Sequence, residues 1–345
     1  MANVNFIRLK SPINFVVLFS LFVNTLVLIT LLSKGNSQTE ESCSHTITRR
    51  ETCEGCFPHK FDYMINNNLI CSSAKQLKLI ILIFSHPDNK NRRKALRETW
   101  LTLTKQNSSP LVRYVFLLGK TTKSETNKQV QKESKIHKDI VQENFLDTFD
   151  NLTYKSRMGM KWVKINCQSA YMVMKTDDDM FVNIAALIRK VIPRYSFKLR
   201  NSVGGLCFQN EKPDRYEDSK YYLPTDTYPN SYFPPFCSGT GYITNYKVFR
   251  RVFEVSSDIP FLKLEDVYLG LCLQYLGYST INIPFFTNQQ TTFDSCNFMF
   301  SNVMTSHLGD IEEIYNVWNN TCNEKTNVSY IENQIPLFRI LKYLN

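Results

Sequence analysis

Several features are missing from this 345-residue sequence. No block of like charge occurs. The formal net charge of +10 is spread along the chain, which suits a mildly basic surface for an anionic ligand and excludes a nucleic-acid-binding arm. No internal repeat and no low-complexity tract occurs, which excludes a repeat architecture. Histidine is scarce, at 5 residues, and none is spaced to complete a zinc site with Cys53-x-x-Cys56 and the nearby Cys43 and Cys71.

What is present begins with a long apolar run. INFVVLFSLFVNTLVLITLL, Ile13 to Leu32, holds twenty residues without a charge, long enough to cross a bilayer core of about 30 Å. Its length favours an uncleaved signal anchor over a cleaved signal peptide. Arg8 and Lys10 precede it and Lys34 stands alone after it, so residues 1–12 are expected in the cytosol and everything after Leu32 on the lumenal or extracellular side. All 10 cysteines follow the span, where structural disulfides are the default. Four N-x-[ST] sequons follow it too, at Asn107, Asn151, Asn319 and Asn327, as candidate glycosylation sites.

Residues 33–75 are polar and cysteine-bearing and read as a stem; residues 76–345 read as one folded domain. With 43% hydrophobic residues the chain can bury a sizeable core. LIILIF (Leu79–Phe84) is an apolar run suited to a strand buried on both faces. NRRKALRETWLTL is helical in character, YVFLLG (Tyr114–Gly119) is a second strand, helical stretches follow at about 126–139 and 154–165, and AYMVMK is a third strand. This alternation predicts βαβ units and a parallel sheet, hence an α/β fold. Ile184, Leu187, Ile188 and Val191 predict a helix capped by Asn183 and ended by Pro193. EDVYLGLCLQYLG (Glu265–Gly277) is a later helix with acids in its first turn and a glycine stop.

KTDDDMFVN then has a location: the aspartates fall at the carboxyl end of the third predicted strand, where open parallel sheets bind ligands. Adjacent carboxylates there suit Mg²⁺ or Mn²⁺ together with substrate phosphates. Asp177 and Asp179 would face one ligand and Asp178 the other side. The competing reading is an Asp-rich turn or capping segment.

RRKALRETW (Arg92–Trp100), FLLG (Phe116–Gly119), ENFLDTFDNLTYKS (Glu143–Ser156), KTDDDMFVN, YFPPFCSGTGYI (Tyr232–Ile243) and EDVYLGLCLQYLG occur in one order. In that order they resemble the blocks of the inverting, UDP-sugar-dependent β-1,3-galactosyltransferases and β-1,3-N-acetylglucosaminyltransferases of the Golgi, over roughly residues 77–277. Phe149, Phe233 and Phe236 stand where that family usually has tyrosine, which keeps packing and removes hydroxyls.

The resemblance implies a Rossmann-like nucleotide-sugar-binding fold of the GT-A type in a single-pass type II Golgi membrane protein. It implies transfer of a hexose, with galactose expected, from a UDP-sugar to a glycan acceptor on glycoprotein or glycolipid. Asp179 would be the main ligand of Mn²⁺ (or Mg²⁺), Asp177 would serve the metal or the ribose, and His307 would complete the site. Asp178, Arg93, Arg97, Gly239 and Gly241 are expected around the donor, although Arg93 and Arg97 at i, i+4 equally suit a solvated face or pairing with Glu98 and other acids. Asp266 would be the base and Glu265 its support, although an acid at a helix start is commonly a cap whose pKa the helix dipole lowers. N-acetylglucosamine or N-acetylgalactosamine transfer and a non-catalytic glycan-binding or chaperone relative are the alternatives. A homodimer or a transferase complex is the expected assembly.

Overall fold

The computed structural model describes Cys53, residues 56–290 and residues 303–319. The expected cytosolic tail, the apolar span 13–32, the first part of the stem and the Asn327 sequon lie outside the described residues. Among the described residues no helix is long and apolar enough to cross a membrane.

The strands are β1 (Tyr63–Asn66), β2 (Leu79–Phe84), β3 (Val112–Lys120), β4 (Ile140–Leu146), β5 (Met172–Asp177), β6 (Met180–Val182), β7 (Ser202–Phe208), β8 (Phe236–Asn245), β9 (Ser279–Asn282) and β10 (Thr305–His307). The main helices are α1 (Lys90–Glu98), α2 (Ser124–His137), α3 (Leu152–Asn166), α4 (Tyr246–Val255), α5 (Glu265–Tyr275) and α6 (Ile311–Asn319). Eight strands form one sheet in the order β1-β4-β3-β2-β5-β8-β7-β9, and β6 pairs with β10 in a separate ribbon. β4, β3, β2 and β5 run parallel, while β8 is antiparallel to both β5 and β7. The α/β fold expected from the βαβ alternation is the one observed, with a sheet that is parallel through β4, β3, β2 and β5 and mixed beyond them.

β2 shows why the sheet is central. Ile80, Leu82 and Phe84 enter one core with α3, α4 and α5, and Leu79, Ile81 and Ile83 enter the other with α1 and α2. Both faces of the sheet are therefore covered, and each such side chain is worth about 1.5–3 kcal/mol buried rather than exposed. α5 ends as its glycine foretold: Gly277 has φ +66°, and Tyr278 N–H returns to Leu273 O at 2.8 Å.

One strand is added and two expectations are corrected. IVQENFL is a strand (β4) despite its polar residues, because Gln142 donates to Gly119 O (2.8 Å) and Glu143 is paired with His59 (2.5 Å) and Lys161 (2.8 Å). The sheet also begins before residue 76, since β1 lies within the segment expected as stem and covers the otherwise open edge of β4. Asn183 does cap its helix, accepting from Ala186 N–H at 2.9 Å. Pro193 does not end that helix, because the turn Leu187–Val191 widens to π geometry and the run continues through Ile192–Tyr195.

Among the described residues the disulfides are Cys53–Cys56, Cys71–Cys167 and Cys207–Cys237, while Cys272 is a buried free thiol and not the disulfide partner expected. The second closes a loop of 96 residues and ties the segment before β2 to the end of α3. Replacement of Cys167 by Ala is expected to cost about 2–5 kcal/mol, read as a fall of roughly 5–15 °C in Tm. An unchanged Tm would show that the bond adds nothing to the fold.

Candidate active site

β2 and β5 are parallel neighbours, yet the chain leaves them toward opposite sides of the sheet: β3 and β4 lie beyond β2, while β5 faces β8. Such a switch point opens a crevice at the carboxyl ends of the two strands. Those ends carry Ser85 and His86 after β2 and Asp177–Asp179 after β5, and they border a cleft of about 790 Å³. Phe149, Lys155, Lys175, Gly239, Glu265, Asp266 and His307 line it too.

The three aspartates are distinguished by their partners. Asp178 turns inward, where its Oδ2 accepts from Ser85 Oγ (2.6 Å) and Asn89 Nδ2 (3.0 Å). Burial raises its pKa against those two bonds. Expected among the donor-binding groups, it ties the loop after β2 to the aspartate turn while bordering the cleft. Asn89 stands at the N-cap of α1 but spends its amide on this contact. Asp177 and Asp179 do face the cleft. Burial raises the Asp177 pKa to about 6, opposed by Lys175 and reinforced by Asp179.

Asp179 meets His307, with Nε2 3.3 Å from Oδ2. The ribbon explains the meeting, because His307 is the register partner of Met180, the next residue after Asp179. Among the described residues no three His, Cys, Asp or Glu side chains close into a metal cage. The donor set, two carboxylates and one imidazole beside an open cleft, fits a hard cation that completes its shell with water and substrate phosphates.

Lys175 joins the two halves of the site. It is 2% exposed, and its Nζ lies 2.7 Å from Asp177 Oδ1 and 3.0 Å from Glu265 Oε1, while also donating to Gly239 O. Burial works against its charge, but the two carboxylates outweigh burial and raise its pKa. Glu265 is itself buried, and its Oε2 accepts from Ser156 Oγ (2.6 Å) and Tyr242 OH (3.3 Å). It therefore supports the site from behind.

Asp266 is the carboxylate that remains toward the cleft. Its Oδ2 accepts from Gly239 N–H (3.1 Å) and its Oδ1 from Val267 N–H (2.9 Å). The second bond is cap-like, as its place at the start of α5 suggests. Its pKa is nevertheless raised, to about 6, because burial and the neighbouring Glu265 outweigh those donors. Gly239 is required at this spot: a Cβ there would sit 2.8 Å from Glu265 Oε1. Gly241, also expected at the donor, instead pairs with Thr176 inside the sheet, and a Cβ on it would meet Thr305 at 3.0 Å.

Residues 91–284 match the family described as "Galactosyltransferase". Beta-1,3-galactosyltransferase 1 of mouse and of human are each 37% identical over 270 residues, covering 78% of this chain and 81% of theirs. Beta-1,3-galactosyltransferase 2 of mouse is 38% identical over 274 residues, covering 78% and 64%. The chain belongs to the galactosyltransferase family. Among solved structures, the galactosyltransferase LgtC in complex with donor and acceptor sugar analogs is 12% identical with a TM-score of 0.38, over 71% of this chain and 98% of that one. Mouse xyloside xylosyltransferase 1 is 10% identical with a TM-score of 0.33, over 67% and 97%.

Within this family member Arg93 and Arg97 stand behind the cleft wall. Arg93 is fully buried, forks onto Glu133 at 2.9 and 2.7 Å, and holds Ser85 Oγ (3.0 Å) and His86 O (2.7 Å). Arg97 bonds Glu133 and Asp139. Their i, i+4 spacing thus serves pairing with acids from α2 and its end, and Glu98 pairs with Lys94 instead. The side-chain amide of Asn107 donates to Tyr114 O (2.9 Å) and that of Asn151 to Leu146 O (2.8 Å); the Asn319 side chain lies outside the described residues.

Lys155 and Asp147 were not singled out in the sequence, although both lie in the block ENFLDTFDNLTYKS. They pair at 2.7 Å in the cleft wall, with Lys155 also donating to Ser85 O at 2.8 Å. Glu133→Ala would leave Arg93 buried without its carboxylate, so a loss of roughly 3–5 kcal/mol in chemical unfolding is expected. Intact stability with weakened UDP-sugar binding would instead return these arginines to the donor.

Proposed function

We propose that this chain transfers galactose from UDP-galactose to a glycan hydroxyl in β-1,3 linkage, with inversion, as a type II protein of the Golgi membrane with its catalytic domain in the lumen. Family membership and the names of its relatives support the reaction. The apolar span, the sequons and the disulfides support the location. The observation that carries the mechanism is one cleft in which the aspartate turn and Asp266 are held by a common buried ammonium, Lys175.

Asp179, Asp177 and His307 would hold Mn²⁺ or Mg²⁺. When bound there, it would supply Lewis-acid stabilisation of the charge on the departing diphosphate, so no general acid would be needed. Asp266, as the carboxylate, accepts the proton of the acceptor hydroxyl while that oxygen forms its bond to the anomeric carbon. The bond to the phosphate oxygen breaks on the opposite face and its electron pair leaves with UDP. Glu265 stays in place through Lys175, Ser156 and Tyr242, and Gly239 N–H aims the Asp266 carboxylate. Burial that lifts the Asp266 pKa to about 6 makes it a better base than an exposed aspartate.

Transfer from UDP-galactose to an N-acetylglucosaminide, followed as UDP release with Mn²⁺ present, tests the assignment. Asp266 must be ionised to act, so kcat/KM is expected to fall as the pH drops through about 6. Asp266→Asn should lose roughly 10²–10⁴-fold in kcat, and Asp179→Ala should lose metal-dependent transfer. Wild-type rates in either variant would overturn the corresponding role. A preference for UDP-N-acetylglucosamine as donor would replace galactose in the proposal.

A further inference from the structure

The far lip of the cleft is built from Phe149, just after β4, and from the segment 209–235 between β7 and β8. That segment has little regular structure but is firmly held. Cys207–Cys237 closes its base, and Arg215 donates to Leu223 O, Tyr228 O and Asn230 O at 2.5, 2.6 and 3.3 Å. Phe149 and Tyr221 form an edge-to-face pair at 5.7 Å, and both are exposed at the lip. Flat apolar rings of this kind suit the C–H face of a pyranose.

Of the charged side chains in this segment, Lys212, Asp214 and Lys220 border the cleft, whereas Glu211, Arg215, Glu217, Asp218 and Asp226 do not. Asp214 accepts from Tyr216 N–H (2.9 Å) within its own turn, and Asp150 is paired with Lys263 at 3.3 Å. Lys212 and Lys220 have no carboxylate within ion-pair distance among the described residues. Their ammonium groups lie instead over rings, Lys220 over Tyr221 (4.9 Å) and Phe149 (5.6 Å) and Lys212 over Tyr232 (5.7 Å). The Lys263–Asp150 pair places this lip on the Asp266 side, since Lys263 precedes Asp266 by three residues and Asp150 adjoins Phe149.

We infer that this lip is an acceptor subsite for a saccharide carrying an anionic group, a sulfate ester or a uronate carboxylate, with Phe149 and Tyr221 under the ring and Lys212 and Lys220 at the charge. The inference rests on the transferase reading for its direction, because the acceptor must approach Asp266. Two rim lysines without a carboxylate partner among the described residues discriminate by charge, and weakly enough that salt screens the effect.

The test uses the full chain in detergent with UDP present and titrates three probes by calorimetry: a methyl N-acetylglucosaminide, its 6-O-sulfate, and a uronate-bearing disaccharide. At low salt an acidic probe is expected to bind about tenfold tighter than the neutral one, and the arm that shows it identifies sulfate or carboxylate. The double variant Lys212→Gln, Lys220→Gln should bring that ratio near one, with KM for UDP-galactose unmoved. Equal binding of all three probes, a ratio that survives the double variant, or a rise in the UDP-galactose KM would overturn the subsite. An intact preference without transfer to any acceptor would support the subsite and sink the transferase reading.

Discussion

The active cleft depends on one buried cation set between carboxylates. Lys175 touches Asp177 on the aspartate turn, Glu265 at the start of α5 and the Gly239 carbonyl on β8. Removal of one partner from such a buried cluster leaves uncompensated charge in a medium that stabilises it poorly, so the three elements are fixed relative to one another. Each of the three neighbouring aspartates has its own partner. Asp178 is turned onto Ser85 and Asn89, Asp177 is paired to Lys175, and Asp179 is beside His307.

From that arrangement follows a division of labour between two similar carboxylates. Glu265 is buried, ion-paired to Lys175 through Oε1 and hydrogen-bonded through Oε2, which makes it a support. Asp266 accepts from the Gly239 and Val267 N–H groups and borders the cleft, the position asked of the proposed base. The helix dipole would by itself weaken Asp266 as a base; burial and Glu265 reverse the sign. Behind the wall, Arg93 performs a parallel service for the loop after β2 by gripping Glu133 on one side and the loop's own oxygens on the other.

Much of this was legible in the residues. Apolar runs marked β2, β3 and β5, and the position of the aspartates after β5 followed from them. Asn183 and Gly277 marked a helix start and a helix end through their own chemistry. β4 was not legible, because its buried Gln142 and Glu143 look solvent-facing until their distant partners Gly119, His59 and Lys161 are known. The arginines stayed open between two readings for the same reason, since an i, i+4 basic pair reads alike whether it faces phosphate or a buried Glu133. The segment 209–235 has no periodicity to read, and its order comes from Arg215 and a disulfide.

The central claim, that Lys175 holds the aspartate turn and the base in register, is tested most directly by steady-state transfer kinetics of Lys175→Met and Lys175→Arg. Lys175→Met is expected to remain folded yet lose both UDP-galactose affinity and kcat, by roughly 100-fold in kcat/KM on the scale set by small misplacements of reacting groups, with partial recovery in Lys175→Arg. A folded Lys175→Met protein with wild-type kcat and KM would contradict it.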